Sequence, residues 1–387
     1  MPCSHAHLIA RAISAATRFF AVLLTTAVAG AGSALAVPVE VTVMTRNLYF
    51  GADTSGILGA PTASAIPAAV KAAFTQAQGN DFNLRVGAIA DEIQQGNPHL
   101  IGLQEAVLVN ATTPTGVPTY SRDFVQMLLS ELSQRGLNYE AAVTHTGFMT
   151  TLPSGSPLEE VVTLTDRDVI LRRSDVTVTG KKDVAFVNDV SLNFVGGTFQ
   201  AKRGYVAVDA VVGGIPFRFV STHLDEFRTP KQALQLGEIV AGNTDAQRLI
   251  LVGDFNSPAD GSSTPTYANA IAAGFADVWT ELGAGPGFTC CEHAGLDNPA
   301  PLLDSRIDYV LHRGSIIDAL AVDLVGDIPF RSSAPFYASD HAGLIAIFAV
   351  DVPEPGTLVL LGASALGWGW VTRRRGRARV RRYVLLL

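Results

Sequence analysis

The sequence predicts an α/β protein of the α+β kind, two packed β-sheets with helices on the outside. Three observations carry this. Between residues 39 and 350, short runs rich in Val, Ile, Leu and Tyr outnumber amphipathic helical segments. The runs are bounded by Gly, Pro, Asn and Asp, the residues of turns. No internal repeat or linker interrupts the stretch, so residues 37–351 read as one domain.

In chain order the strand candidates are VEVTVMT (39–45), LIGLQ (100–104), YEAAVTH (139–145), DVILRR (168–173) and YVAVDAVV (205–212). PFRFVST (216–222), LILVG (249–253), IDYVLH (307–312) and GLIAIFAV (343–350) follow. LILVG is apolar without alternation, which suits a strand covered on both faces. Helices are fewer. Residues 82–95 set Phe82, Val86, Ile89 and Ile93 on one face, with Asn80 or Asp81 as cap and Gly96 and Pro98 as stop. Ser121 to Arg135 buries Val125, Leu128, Leu129 and Leu132 and ends at Gly136. Thr229 and Pro230 open a third helix through Val240, Thr as N-cap and Pro in the first turn. Segments 51–80 and 108–119, rich in Ala, Thr, Pro and Gly, are expected as surface loops.

Both ends stand apart from this domain. Residues 1–36 carry Arg11 and Arg18, then FFAVLLTTAVA, then the small-residue site Ala34-Leu35-Ala36, the pattern of a secretory signal peptide cleaved after Ala36. At the other end, Thr357 to Val371 is apolar and would span about 22 Å as a helix at ~1.5 Å per residue. That is short of a ~30 Å hydrocarbon core, so Trp368 and Trp370 would sit at the interface, with the arginines beyond as a cytoplasmic stop. Pro353-Glu354-Pro355, a short apolar helix and an Arg cluster closely resemble the PEP-CTERM sorting signal. The resemblance implies transient anchoring in the envelope of a Gram-negative bacterium, with handling by an exosortase-type enzyme.

Without its ends the chain keeps 19 basic and 34 acidic residues, a net charge of −15. A domain of that charge has no global attraction for nucleic acid, whose non-specific binding comes from Lys and Arg on phosphates. Its cysteines are the neighbours Cys290 and Cys291, for which free thiols, a vicinal disulfide and an intermolecular bond are all open. With no further Cys to complete a thiolate site, a metal role for them is not expected.

Polar residues gather where strands end. VEVTVMTRN ends in Asn47, LIGLQE in Glu105, RFVSTHL delivers His223, and LILVGDFN carries Asp254 and Asn256. SRIDYV carries Asp308 at the start of its strand, and SDH places Asp340 and His341 just before GLIAIFAV. Each alone is ordinary turn or cap chemistry. Together they are the residue types of metal-assisted hydrolysis, at the strand ends where layered folds bind ligands.

The motifs TRNLY, GLQE, DRDVILRR, STHL, GDFN, SRIDYV and SDH, in this order over about 300 residues, closely resemble the endonuclease/exonuclease/phosphatase superfamily. The resemblance implies a four-layer sandwich of two largely antiparallel sheets with the site at one edge. It implies that Glu105 and Asp340 bind Mg²⁺ or Mn²⁺, with Asn47 beside them, hard oxygen ligands for a hard cation. By the same match, Asp254 orients the attacking water or holds a second ion, and Asn256 hydrogen-bonds the nucleophile or phosphate. His341 is the base or proton shuttle, oriented by Asp308, and His223 donates to a non-bridging phosphate oxygen. Asp166 falls where relatives carry a substrate-contacting residue. Arg306 reads equally as a substrate contact or a structural ion pair. His145 and His293 have no motif support and are expected at the surface or in loops. The stretch TCCEHAGLDNP (289–299) lies outside the motif set.

The expected function is that of a secreted, metal-dependent phosphoester hydrolase, monomeric, with in-line water attack. Its substrate could be nucleic acid, a phospholipid headgroup or a small phosphate ester. The acidic domain argues against tight binding of long duplexes, and a lipid-directed enzyme would need exposed aromatics, for which IPFRSSAPFY (328–337) is the nearby stretch. The alternative is a non-catalytic envelope or matrix component that retains the fold.

Overall fold

The run Leu249–Val252 has no solvent-exposed side chain in the computed structural model, which describes residues 38–226, 230–314 and 317–350. The strand containing it is covered on both faces, and the rest of the architecture follows from what covers it. In chain order the strands are β1 (Val39–Asn47), β2 (Leu100–Gln104), β3 (Leu108–Thr112), β4 (Pro118–Asp123), β5 (Tyr139–Ser154) and β6 (Glu160–Arg173). They continue as β7 (Thr177–Ala185), β8 (Val190–Phe194), β9 (Gly197–Ala201), β10 (Gly204–Val212), β11 (Ile215–His223) and β12 (Arg248–Asp254). The last four are β13 (Ala276–Asp277), β14 (Asp308–Gly314), β15 (Ile317–Val325) and β16 (Gly343–Val350). The helices are α1 (Ser55–Leu58), α2 (Ile66–Gly79), α3 (Phe82–Gly96), α4 (Phe124–Gln134), α5 (Pro230–Gly242), α6 (Thr266–Ala272) and α7 (Val278–Leu282).

One sheet runs β15-β16-β1-β2-β6-β3-β4, with β5 also on β6; the other runs β13-β14-β12-β11-β10-β7. β8 and β9 form a separate hairpin. Pairing is antiparallel except for β1 with β2 and β11 with β12. Strand alternation then sorts the side chains into layers. On β2, Ile101 and Leu103 pack with helical Phe74, Phe82, Ile89 and Leu128. Gly102 faces the other way, and a Cβ there would lie 2.5 Å from Ser221 Oγ and 2.7 Å from Val252 Cγ2. Glycine at 102 therefore lets the two sheets approach. On β12, Leu249 and Leu251 join Leu236, Ile239 and Ala270 of α5 and α6. The order is helices, sheet, sheet, helices: the four-layer sandwich.

Local chemistry explains the helix limits. Asp81 caps α3 by accepting from Asn83 N at 3.0 Å, and Asn97 ends it in the left-handed conformation at φ 42°. Its apolar face, Phe82, Val86, Ile89 and Ile93, is buried, each side chain contributing about 1.5–3 kcal/mol on leaving water. α4 begins at Phe124 rather than Ser121, because residues 118–123 pair with β3 and Asp123 caps Val125 N and Gln126 N. The two expected loops are structured. Segment 51–80 contains α1 and α2, the latter opened by Pro67 and burying Ile66, Val70 and Phe74; Ala is the best helix former and outweighs the loop-like composition. Segment 108–119 holds β3 and the start of β4. The expected cap Thr229 and both chain ends lie outside the described residues. Among the described residues no helix is long and apolar enough to cross a membrane.

Candidate active site

Pairing and register bring the polar strand ends to one edge. The parallel pairs β1–β2 and β11–β12 end together, aligning Asn47 with Gln104 and His223 with Asp254. Antiparallel β14 starts at that edge, with Asp308 opposite Asp254. β16 pairs Leu344 with Thr45, which sets Asp340 and His341 beside Asn47 and Glu105. β6, with Val169 opposite Leu103, carries Asp166 and Asp168 past the end of β2. Below, Gln104 ties the sheets together by donating to Ser221 Oγ at 3.1 Å and accepting from Thr45 Oγ1 at 3.2 Å.

Asp254 is the centre of the cluster and is 1% exposed. Its Oδ1 accepts from Asn256 N at 2.8 Å and its Oδ2 from Asn47 Nδ2 at 3.2 Å. His223 Nε2 and His341 Nε2 face the same Oδ2 at 3.5 and 3.8 Å. Asn47 Nδ2 also reaches Glu105 Oε1 at 3.3 Å, and Phe50 N donates to Glu105 Oε2 at 2.8 Å. Burial first, then the charge of Asp308, pushes the Asp254 carboxyl up to about 7. Burial, with Asp340 and Asp166 adding to it, pushes Glu105 up to about 8. The Asn256 side-chain nitrogen donates to Leu224 O at 3.1 Å, while its backbone N–H is the group bonded to the Asp254 carboxylate.

The two histidines have different partners. His223 Nδ1 lies 2.9 Å from Arg203 Nη1. A guanidinium only donates, so Nδ1 accepts and the ring proton sits on Nε2, facing Asp254. Burial, Arg203 and His341 hold His223 well below the ordinary imidazole range. His341 Nδ1 is 2.8 Å from Asp308 Oδ2. Burial opposes its charged form, yet Asp308, Asp254 and Asp340 together raise it well above the ordinary range.

Two residues of the cluster carry no expectation from the sequence. Arg203 is buried and bridges Asp166 at 3.0 Å, His223 and Glu226 at 2.5 Å. Nothing around it in the sequence marks it. Asp168 is 1% exposed, and neither of its carboxylate oxygens has a hydrogen-bond partner. Its signal was present, because the i, i+2 spacing of Asp166 and Asp168 puts both on one face of β6. Arg306 is not brought to the cluster: it pairs with Asp277 at 2.6 Å and lies over the rings of Tyr267 and Tyr309. His293 is exposed in a loop, whereas His145 is buried in β5 between Asp183 at 2.6 Å and Lys202 O at 2.9 Å, contrary to its expected surface position.

The donor set fits a divalent cation. Besides the two orphaned oxygens of Asp168, Asp166 Oδ1 and Asp308 Oδ1 are buried without partners. Burying so many unpaired oxygens is costly without a compensating cation, and hard carboxylate oxygens suit Mg²⁺ or Mn²⁺. Ligand atoms of Asp254, Asp308 and His341 lie within 4.8 Å of one another. Those of Cys290, Cys291 and His341 do as well.

The surrounding frame explains TCCEHAGLDNP. Thr289 Oγ1 accepts from Ile307 N and Asp308 N, both at 3.1 Å. Glu292 N donates to Asp340 O, and Ala342 N to Thr289 O, each at 2.8 Å. This stretch therefore ties Asp308 to the Asp340–His341 loop. Arg85, fully buried, donates to Leu48 O, Tyr49 O and Ala338 O and joins the loop after β1 to the one before His341. From the other side, Gln232 of α5 donates to Asn256 O at 3.0 Å. Among the described residues, Tyr49, Glu105 and Asn256 are three of five non-glycine residues at positive φ, strain gathered where the site is built. In residues 328–337, Ile328 and Phe330 are exposed, while Tyr337 is buried against Tyr49 and Leu296.

No curated protein matches the chain. A family model described as the Endonuclease/Exonuclease/phosphatase family matches residues 47–341, and a PEP-CTERM protein-sorting motif matches residues 351–375. Among solved structures, an endonuclease/exonuclease/phosphatase family protein from Bacteroides thetaiotaomicron is similar, with a TM-score of 0.51 and 16% identity, covering 82% of this chain and 97% of that one. An endonuclease/exonuclease/phosphatase from Beutenbergia cavernae gives 0.50 and 22%, covering 81% and 72%. At these identities the likeness is one of fold.

Proposed function

The chain belongs to the endonuclease/exonuclease/phosphatase family, and from that membership we propose that it is a secreted, divalent-metal-dependent phosphoester hydrolase. The observation that carries the reading is the cluster of Glu105, Asp168, Asp254 and Asp340, buried or part-buried at the sheet edge, with His223 and His341 facing one Asp254 oxygen. Glu105, Asp340 and Asp168 would hold the cation, with Asn47 fixing the Glu105 carboxylate. When bound, the ion supplies Lewis-acid neutralisation of the charge that develops on the phosphate.

The chain's own residues divide the remaining work. Asp254, held by Asn47 Nδ2 and Asn256 N, orients a water for in-line attack and accepts its proton; a carboxyl near 7 suits that transfer at neutral pH. His223, with its proton on Nε2, donates to a non-bridging phosphate oxygen as negative charge builds there. His341 carries protons between Asp254 and the departing oxygen, while Asp308 fixes its ring through Nδ1. Asp166 acts through Arg203, whose fork it anchors. The sorting motif at 351–375 supports export, loss of residues 1–36, and handling of the tail by an exosortase-type enzyme.

The test uses the exported protein on plasmid DNA, sphingomyelin and small phosphate esters, with Mg²⁺ or with chelator. Turnover with Mg²⁺ that is lost in EDTA is the expected result. Full activity in excess EDTA contradicts the metal role, and no turnover on any ester leaves the fold without the chemistry.

A further inference from the structure

A cavity of about 330 Å³ adjoins the cluster, which contributes Glu105, Asp166 and Arg203 to its lining. The rest of its lining is mainly apolar and includes four phenylalanine rings, Phe50, Phe148, Phe194 and Phe199, with Leu152 and Leu164 and a few threonines between them. All six are only half-buried, so their apolar surface lies open to the cavity. Glu226 also lines the cavity, and it pairs with Arg203.

The chain builds this wall deliberately. Phe148 pairs with Asp166 in the β5–β6 ladder, so the ring and the site carboxylate share a face. The register shifts between Thr146 and Phe148, a bulge of the kind that re-aims a side chain beside a site. Opposite it stands the β8–β9 hairpin, which joins neither large sheet. Phe199 of that hairpin meets Phe148 edge to face, centroids 4.9 Å apart at 78°. The backbone of Phe50 in turn holds Glu105. The ring wall and the proposed metal carboxylate are thus parts of one construction.

We propose that this cavity is the subsite for an uncharged aromatic ring carried on the phosphate, so that the substrate class is small aryl or nucleoside phosphate esters. The inference rests on the hydrolase reading above, which puts the phosphate at Glu105. A phosphate held there projects its ester group past Arg203 into the apolar space. Flat rings suit walls that are themselves rings, which stack or meet edge to face. Among the described residues that line the cavity Arg203 is the sole cation, and it is already paired with Asp166 and Glu226. The net charge of −15 on residues 37–351 likewise favours a small ester over a long nucleic acid.

The experiment is calorimetric binding to the full exported chain with Mg²⁺, using methyl, n-hexyl and phenyl phosphate and thymidine 5′-monophosphate, alongside release of inorganic phosphate from the same four esters. Phenyl phosphate or the nucleotide should bind at least ~10-fold tighter than methyl phosphate, the tighter of the two naming the ring's source. Phe199→Ala should bring the ratio close to one. Phe199→Leu, which keeps apolar volume and so guards against misfolding, should lower the phenyl-to-hexyl ratio. Hexyl phosphate binding as tightly as the ring ligands overturns the aromatic assignment, as does equal binding of methyl and ring ligands. Turnover without ring preference removes the subsite and leaves the hydrolase. Ring-selective binding with no turnover of any ester supports the subsite and removes the hydrolase reading.

Discussion

His223 and His341 direct the same ring nitrogen at the same oxygen of Asp254, at 3.5 and 3.8 Å, from walls of opposite character. Behind His223 stands Arg203; behind His341 stands Asp308. Burial pushes both imidazoles toward neutrality, and the partner on Nδ1 decides whether that push wins. Beside Arg203 it wins, leaving a neutral ring with its proton on Nε2. Beside Asp308, with Asp254 and Asp340 adding their charge, it loses. In the proposed mechanism one residue type thus serves as a fixed donor on one side of the site and a proton carrier on the other.

The comparison breaks most completely when a ring or its common target is removed. His341→Ala and Asp254→Asn should each lower kcat by at least ~10², the usual size of a general acid–base contribution. The double variant should fall little further, because both act on one water. Circular dichroism melts serve as the folding control, because both side chains are buried and His341→Ala leaves Asp308 Oδ2 without its imidazole partner. Glu105→Gln should give a loss of similar size together with a raised Mg²⁺ requirement, measured by titrating the ion against rate.

Exchanging the partners sharpens the contrast. Arg203→Gln should reduce kcat about tenfold and also destabilise the fold, by about 3 kcal/mol, because Asp166 loses its buried counter-charge. The His223 imidazole should then titrate at higher pH, since Arg203 is one of the groups holding it down. Asp308→Asn should cost less than His341→Ala and move His341 the other way, to lower pH, since Asp308 is the foremost group raising it. Titration of both rings by NMR in the two variants checks the opposed signs. A purely structural role for Arg203 would change the melt and leave the His223 midpoint in place.

The smallest effect concerns stability. Glu105 and Asp254 have folded-state values near 8 and 7, above the ordinary carboxyl range, so they oppose folding once the unfolded chain ionises. The contribution of these two carboxyls to metal-free stability should therefore fall as pH rises from about 4.5 to 8 and level off above it. Mg²⁺ should raise Tm by a few degrees at pH 8 and by less at pH 5.5, because binding to the folded state alone stabilises it. Differential scanning fluorimetry with and without the ion measures this directly.

Much of the molecule was legible in the sequence because its signals are local. LIGLQ and GLIAIFAV match β2 and β16 at both ends, and the face Phe82, Val86, Ile89 and Ile93 is the buried face of α3. Asn47, Glu105, His223, Asp254, Asp308, Asp340 and His341 follow from the habit of placing polar residues where core strands stop. What escaped depends on distant pairing. Arg203 is an ordinary arginine until β6, β11 and the loop before β10 converge on it. The hairpin carrying Phe194 and Phe199 has no strong apolar pattern of its own. The helix Ile66–Gly79 was hidden by composition, its alanines outweighed by the Pro, Thr and Gly around them. Cys290 and Cys291 were undetermined because adjacency in sequence is compatible with free thiols, a bridge between them or an intermolecular bond.

The division of labour between the two histidines is tested most directly by ¹⁵N NMR of the imidazole rings in the metal-free wild-type protein at pH 7. The account predicts a neutral His223 protonated on Nε2 throughout the neutral range and a His341 protonated on both nitrogens. A His223 carrying its proton on Nδ1, or two rings titrating together near the ordinary imidazole value of about 6.5, would contradict it.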